Sequence, residues 1–298
     1  MSTQQAQRTG LLLLIAGSAV DSTSGLFTRL IAADGFTTAS ARGLFAFLTL
    51  FLVLLWRDRR SAFASIAAIG LWGFSVVGIN AAGMVLNMLS LKYTAVANFF
   101  MIFATAPFAA AVAAWLILGE KLDSATLLAA LAGFIGIAVM MFSGARAGGL
   151  PGDLFACAAV ACYAAIVLII RKRGNIDVLP MICATTLASC LIGLPFADFG
   201  QLTLGAWGGF AVFGAFQLAL GNMLIFNAVP RIPAAQSGLL GILNAGFAPL
   251  WVFLFLGEVP PTATLIGGAI IIGAALTHLA WTLTRPVPQP AQPEPMMT

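Results

Sequence analysis

The sequence predicts an all-α polytopic membrane protein in which ten transmembrane helices form two inverted five-helix repeats. Three observations carry this. Hydrophobic residues make up 61% of the 298 and charged residues only 8%, with a mean hydropathy of +1.03, which leaves too few charges to cover a soluble surface of this size. The apolar residues fall into segments of roughly 20, the length a helix needs to cross the hydrocarbon core. A third signal is a phrase written twice: Leu116–Leu127 (LILGEKLDSATL) recurs 138 positions later as Leu254–Leu265 (LFLGEVPPTATL). An internal repeat joining apolar stretches points to a transporter.

The expected spans are 11–31, 37–56, 65–90, 94–117, 124–143, 152–171, 178–197, 205–228, 233–256 and 262–283. Charges, glycines and prolines mark the breaks, at Arg57–Arg60, Gly119–Lys121, Gly144–Pro151, Arg171–Gly174 and Pro230–Pro233. The chain divides into a cytoplasmic N-terminus (1–9), a first repeat (10–145), a second repeat (150–284) and a proline-rich tail (285–298). Prolines lack a donor and fix φ, so the tail is expected to be disordered. Arg8 and the apolar run Leu11–Val20 superficially fit a signal peptide, but no small-x-small site closes the run, so it reads as an uncleaved first span.

With the N-terminus in the cytoplasm, Arg8, Arg57, Arg59, Arg60, Lys121, Arg171, Lys172, Arg173, Arg231 and Arg285 fall inside, and Arg29, Lys92 and Arg146 fall outside. This matches the positive-inside rule, places both termini in the cytoplasm and leaves Arg42 within span two. Five spans per repeat force the second copy to enter the membrane the other way up. Glu120 is then cytoplasmic and Glu258 opposite, with the substrate site between the halves near the midplane and alternating access as the mode of action.

Several function classes are excluded. The cations lie at the ends of apolar segments rather than in a patch, so nucleic acid is not an expected partner. Cys157, Cys162, Cys183 and Cys190 have no CxxC spacing and read as packed, reduced thiols; neither a metal nor a cofactor is expected. There is no Walker lysine loop, so ATP is not the direct energy source. A single histidine and no HExxH or paired catalytic carboxylates argue against an intramembrane enzyme. A non-transporting receptor fits the composition but leaves the duplication unexplained.

Polar residues within the apolar spans are the candidate site. A charge at the bilayer centre costs about 2.5–3.5 kcal/mol on insertion scales, so Asp21 needs a reason. It could hold a substrate ammonium or accept a coupling proton; the alternative is a structural carboxyl satisfied by Ser22, Thr23 and Ser24. Gly73, Asn80 and Asn87 recur every seven residues on one face of span three, Asn98 and Thr105 do so on span four, and Ser237 and Asn244 on span nine. Gln217 in span eight joins this set. By the repeat Asn98 pairs with Gln236, so the two amides are expected to face each other across the pseudo-axis. Amides suit a zwitterion because they donate to its carboxylate and accept from its ammonium; the alternative is ordinary interhelical hydrogen bonding worth about 0.6 kcal/mol each.

Phe99, Tyr163, Trp72 and Trp251 could stack on an apolar ligand, and Tyr163 stands at the repeat counterpart of Asp21 when Gly152 is aligned with Gly10. Trp72 and Trp207 read better as membrane-interface residues. Glu120 and Glu258 read as helix-terminating and packing residues, and His278 has no obvious partner.

The stretches Leu91–Asn98 and Ala106–Leu122, in which a proline opens a small-residue run ending in Gly-Glu, resemble the EamA-type domain of the drug/metabolite transporter superfamily. Arg42, in Ala39–Ala46 (ASARGLFA), matches that family's single arginine in the second span. The resemblance covers nearly the whole chain as two tandem domains. It implies a ten-span inner-membrane exporter of small metabolites, and by size and scarcity of intramembrane cations it extends to aromatic amino-acid exporters of the YddG type; the polar set itself suits a small neutral or zwitterionic solute, most plausibly an amino acid with an apolar or aromatic side chain. Drugs or other metabolites are alternatives; a sugar-phosphate exchanger would need more cations than Arg42. The chain departs from the pattern at Ala245, which replaces the counterpart of Pro107 with Pro249 a turn later, and at Asp21, where an aromatic is usual.

Overall fold

The structure, a computed structural model, describes residues 3–147, 149–173, 177–200, 202–232 and 239–284. Among these residues ten helices are long and apolar enough to cross a membrane: Gln5–Leu30, Gly35–Asp58, Gly70–Tyr93, Val96–Leu118, Ser124–Phe142, Leu150–Lys172, Val178–Phe196, Leu204–Arg231, Leu239–Leu256 and Thr262–Thr282, hereafter spans one to ten. The expected start of span nine and the proline-rich tail lie outside the described residues. Large apolar side chains such as Leu52, Leu128 and Phe142 are exposed on the outside of the bundle, the surface that lipid covers. The interior is packed around Phe99, Phe100, Ile102, Phe210 and Phe213.

The pairing of spans follows the repeat. Span one packs on span eight and span three on span six, while spans two and seven, four and nine, and five and ten pair with each other. A two-fold axis that exchanges the repeats exchanges the first two pairs and maps each of the other three onto itself. Glycines show the same symmetry at the closest approaches. A Cβ on Gly10 would meet Arg231 Cβ and Ile232 Cγ2 at 2.7 Å, and one on Gly152 would meet Thr94 N at 2.5 Å. Gly10 and Gly152 stand 142 positions apart, and the pairs they touch, Tyr93–Thr94 and Arg231–Ile232, stand 138 apart.

The inversion is visible in where the ends fall. Arg29, at the end of span one, donates to the carbonyls of Leu91 and Thr94, and Gly152, near the start of span six, packs on the same Thr94. Span six therefore begins on the face where span one ends, and the repeats cross the membrane in opposite senses. Spans four and nine end alike, with Gly119 (φ 69°) and Gly257 (φ 67°) in the left-handed conformation that a glycine adopts without a Cβ penalty. Termination thus belongs to the glycines rather than to Glu120 and Glu258, whose side chains are free for other bonds.

Three cavity-forming spans are irregular. Span one breaks after Asp21, where Ser22 and Thr23 hydroxyls bond back to the carbonyls of Ala19 (2.9 Å) and Val20 (2.6 Å), and helix resumes at Ser24. Span four breaks at Ala104–Thr105 ahead of Pro107, which sits in the first turn of Ala106–Leu118, where its missing donor is no loss. Span nine, with Ala245 in place of the proline, runs unbroken through Leu239–Leu256 and carries Pro249 inside it. Span eight contains a π-helical stretch, Phe213–Leu220, a distortion often found at functional sites.

Span two, which carries Arg42, starts at an Asp34 cap: the carboxylate accepts from the N–H of Phe36 (2.8 Å) and Thr37 (3.0 Å) and from the Thr37 hydroxyl. Partial desolvation pushes the Asp34 pKa up, but the bonds from Thr37 and Phe36 outweigh it and hold the group below its ordinary value. Such a group stabilises the fold fully above the unfolded carboxylate value of about 3.9 and loses that contribution as pH falls through its folded value. Asp34→Ala is expected to cost about 1 kcal/mol at neutral pH and less at an acid pH below the group's folded value. Unfolding in detergent micelles at both pH values checks this; an equal cost at both would contradict it.

Candidate functional site

A cavity of about 160 Å³ lies between the repeats. Span one contributes Asp21 and Ser24; span two Arg42; span three Asn80 and Asn87 with Met84, Met88 and Leu91; span four Phe99, Phe100 and Phe103; span eight Gln217 and Asn222; and span nine Asn244. Both repeats therefore build one wall each.

Its polar centre is a connected set. Asp21 Oδ1 accepts from Gln217 Nε2 at 2.9 Å and its Oδ2 accepts from Asn244 Nδ2 at 2.9 Å. Gln217 Nε2 also reaches the Asp21 carbonyl at 2.9 Å, and its Oε1 accepts from Arg42 Nη1 at 3.3 Å. One amide thus links a half-buried acid and a buried base that do not touch. The guanidinium carbon of Arg42 stands 5.0 Å from the Phe213 ring centroid, so aromatic faces replace part of its lost hydration. A Cβ on Gly214 would meet the Arg42 carbonyl at 2.6 Å; only glycine lets spans two and eight approach closely enough to form this link. The indole of Trp251 donates to Ala19 O (3.2 Å) and Ser22 Oγ (3.0 Å), pinning the break in span one from span nine.

The set is incomplete by design of its valences. Arg42 Nε, Asn87 Oδ1 and Asn244 Oδ1 are buried without a hydrogen-bond partner. An unpaired buried polar atom costs on the order of 1–3 kcal/mol. One spare donor and two spare acceptors around one cavity can receive a solute that carries both an acceptor and a donor.

Of the residues expected from sequence, Asp21, Asn80, Asn87, Phe99, Gln217 and Asn244 come together here. Asn98 does not line the cavity. Its Nδ2 donates to Asp153 Oδ1 (3.1 Å) and Thr94 Oγ1 (3.2 Å), and its Oδ1 accepts from the Thr264 hydroxyl. With both ends of the amide engaged, Asn98 ties spans four, six and ten together; Gln236, its expected counterpart, lies outside the described residues. Tyr163 is 37% exposed and stands behind the wall, edge-on to Phe103 with centroids 6.1 Å apart. His278 has a partner after all: its Nε2 is 2.9 Å from Thr126 Oγ1, and its ring lies edge-on to Phe108.

Two residues were missed as members of polar centres. Arg42 is the one cation away from the ends of span two, which is signal enough, but its link to Asp21 runs through a π-helical turn that the sequence does not announce. Asp153 is fully buried and accepts from Thr94 Oγ1 at 2.6 Å; its signal was an acidic residue at the edge of an expected span.

Ten spans in two inverted, swapped repeats around a small, solute-sized polar cavity define a membrane transporter. The EamA-like transporter family matches the chain twice, at residues 8–142 and 150–279, and the chain belongs to that family, a branch of the drug/metabolite transporter superfamily. No significant match to a curated protein is found. A solved structure titled only "Crystal structure of protein" is similar in fold, with a TM-score of 0.64 and 19% identity over 94% of this chain and 100% of that one.

If the Asp21–Gln217–Arg42 set is one electrostatic unit, removing either charge leaves the other buried without compensation. Asp21→Ala and Arg42→Ala are each expected to destabilise by on the order of 3 kcal/mol. The double substitution should cost clearly less than their sum, because no lone charge remains. Equilibrium unfolding in mild detergent measures the cycle, and additive costs would show that the two charges do not communicate.

Proposed function

We propose that the chain is a secondary transporter of the inner (plasma) membrane that exports small neutral or zwitterionic metabolites, chiefly amino acids with apolar or aromatic side chains, through the cavity between its repeats. The observation that carries the reading is the pairing of spare valences with apolar rings. A substrate carboxylate would take the free Nε of Arg42, and its ammonium would donate to Asn87 and Asn244 beside Asp21. Phe99, Phe100 and Phe103 offer faces to an apolar side chain. A volume of about 160 Å³ favours a single small solute, since water in the liquid occupies about 30 Å³. Among the described residues Arg42 is the one cation lining the cavity, which speaks against phosphorylated substrates. The arginine and lysine distribution supports cytoplasmic termini. Asp21 is the group at which a coupling proton would exchange.

Counterflow in proteoliposomes tests this. Vesicles loaded with unlabelled phenylalanine, threonine or methionine should accelerate entry of the labelled counterpart. Asn87→Leu or Asn244→Leu should weaken apparent affinity by roughly tenfold or more, as expected for removing a hydrogen bond to a charged group. Asp21→Asn should flatten the pH dependence. Flat traces with every amino acid would end the amino-acid reading.

A further inference from the structure

Among the described residues three ion pairs join the repeats outside the cavity; one, Arg57–Asp177 (2.7 Å), is solvated, with side chains 38% and 54% exposed. In the other two, Arg29 Nε donates to Glu258 Oε2 at 2.9 Å, and Arg171 pairs with Glu120. They are counterparts under the repeat. Glu120 and Glu258 stand 138 positions apart in the duplicated phrase, each just after the left-handed glycine that ends its span. Arg29 and Arg171 stand 142 apart, the same offset that relates Gly10 to Gly152, and each lies at the end of the first span of its repeat. Each pair therefore fastens the first span of one repeat to the connector after the fourth span of the other, and the two lie on opposite membrane faces.

Both bear on the walls of the cavity. Arg29 Nη1 donates to the carbonyl of Leu91, a lining residue, and Glu258 Oε1 accepts from Val96 N at the start of span four. Glu120 follows the other end of span four. This helix thus runs from one pair to the other, with its break at Ala104–Thr105 next to Phe103 of the cavity between them. A helix divided at mid-membrane can tilt one half without the other.

We propose that Arg29–Glu258 and Arg171–Glu120 are the two gates of the carrier, that they break alternately, and that they are unequal, so that the resting protein opens at the Arg171 face. The proposal rests on the chain's being an alternating-access transporter, not on its substrate. The inequality follows from the surroundings. The side chains of Arg29 and Glu258 are 26% and 30% exposed, and further bonds to Leu91 O, Thr94 O and Val96 N brace them. Arg171 and Glu120 are 45% and 44% exposed and have no further side-chain bond among the described residues. A solvated ion pair contributes little, whereas one with buried hydrogen bonds to backbone is harder to part. A groove of about 810 Å³ between spans two, seven and eight agrees with this sense of opening. It reaches the solvated Arg57–Asp177 pair, which parts together with Arg171–Glu120 on the same face, and shares Asn222 with the central cavity.

The test reads access to the cavity and needs no substrate. In a variant with the four native cysteines replaced, Asn87→Cys on the cavity wall is labelled with a membrane-impermeant maleimide applied to either face of oriented vesicles. Labelling is expected to be severalfold faster from the Arg171 face. Glu258→Gln should raise labelling from the Arg29 face, Glu120→Gln should not, and the exchange Arg29→Glu with Glu258→Arg should restore the original ratio. As a check that survives poor folding of Glu258→Gln, cross-linking Arg29→Cys to Glu258→Cys should leave the Arg171 face open and stop counterflow until the link is reduced. Unchanged labelling in Glu258→Gln, the same face opened by both glutamate variants, or full counterflow in the cross-linked protein would overturn the proposal. Flat counterflow in every variant with the labelling switch intact would sink the amino-acid reading and leave the gates standing.

Discussion

Placing a carboxylate and a guanidinium in the middle of a bilayer is expensive, and much of the chain's irregular geometry serves to hold Asp21 and Arg42 there. Neither touches the other; Gln217 spans the gap, and it can do so because the π-helical turn of span eight brings its amide to Asp21 while Gly214 lets spans two and eight meet at Arg42. The break after Asp21, maintained by Ser22, Thr23 and the Trp251 indole, frees backbone at the same depth. Irregular backbone within a membrane is tolerated where it lines a cavity, and here it does. The arrangement leaves the charges compensated but not saturated, which is what a binding site needs and a structural ion pair does not.

The inverted repeat gives the rest its form. The two-fold axis exchanges the pair of spans one and eight with the pair of spans six and three, so the cavity is built from the same elements twice. Yet the two halves are not chemically equal. Asp21 is mirrored by Tyr163, which stands outside the cavity; Pro107 by Ala245; and a braced ion pair by a solvated one. In a carrier that alternates its access, identical halves would leave the inward- and outward-open states equal in energy, and each departure from symmetry would bias that balance.

The fold was legible because its signals are additive over long windows: twenty-residue apolar runs, charges at their ends and a duplicated phrase. Asn80 and Asn87, spaced by seven, share the cavity because helical periodicity survives in the regular middle of span three. Periodicity fails where the helix does. Asn98 was assigned to the axis by alignment, but it lies beside the chain reversal between spans three and four, where Thr94 and Asp153 compete for its amide. Spacing gives Arg42 no role, because its partner is 175 residues away and joined through a turn type with no sequence signature. Glu120 and Glu258 read as terminators in sequence because they follow glycines; the glycines do that work, and the contacts of the glutamates cross between repeats, where spacing is uninformative.

The central claim is that the cavity reads both charges of a zwitterion at once. It is tested most directly by competition for labelled phenylalanine among three solutes of like size: the amino acid, the amine lacking its carboxylate and the acid lacking its ammonium. The account expects strong competition by the amino acid alone, with Arg42→Lys weakening that competition because the planar fork is lost. Equal competition by the amine or the acid would mean that one end of the polar set is structural, and that the substrate is not a zwitterion.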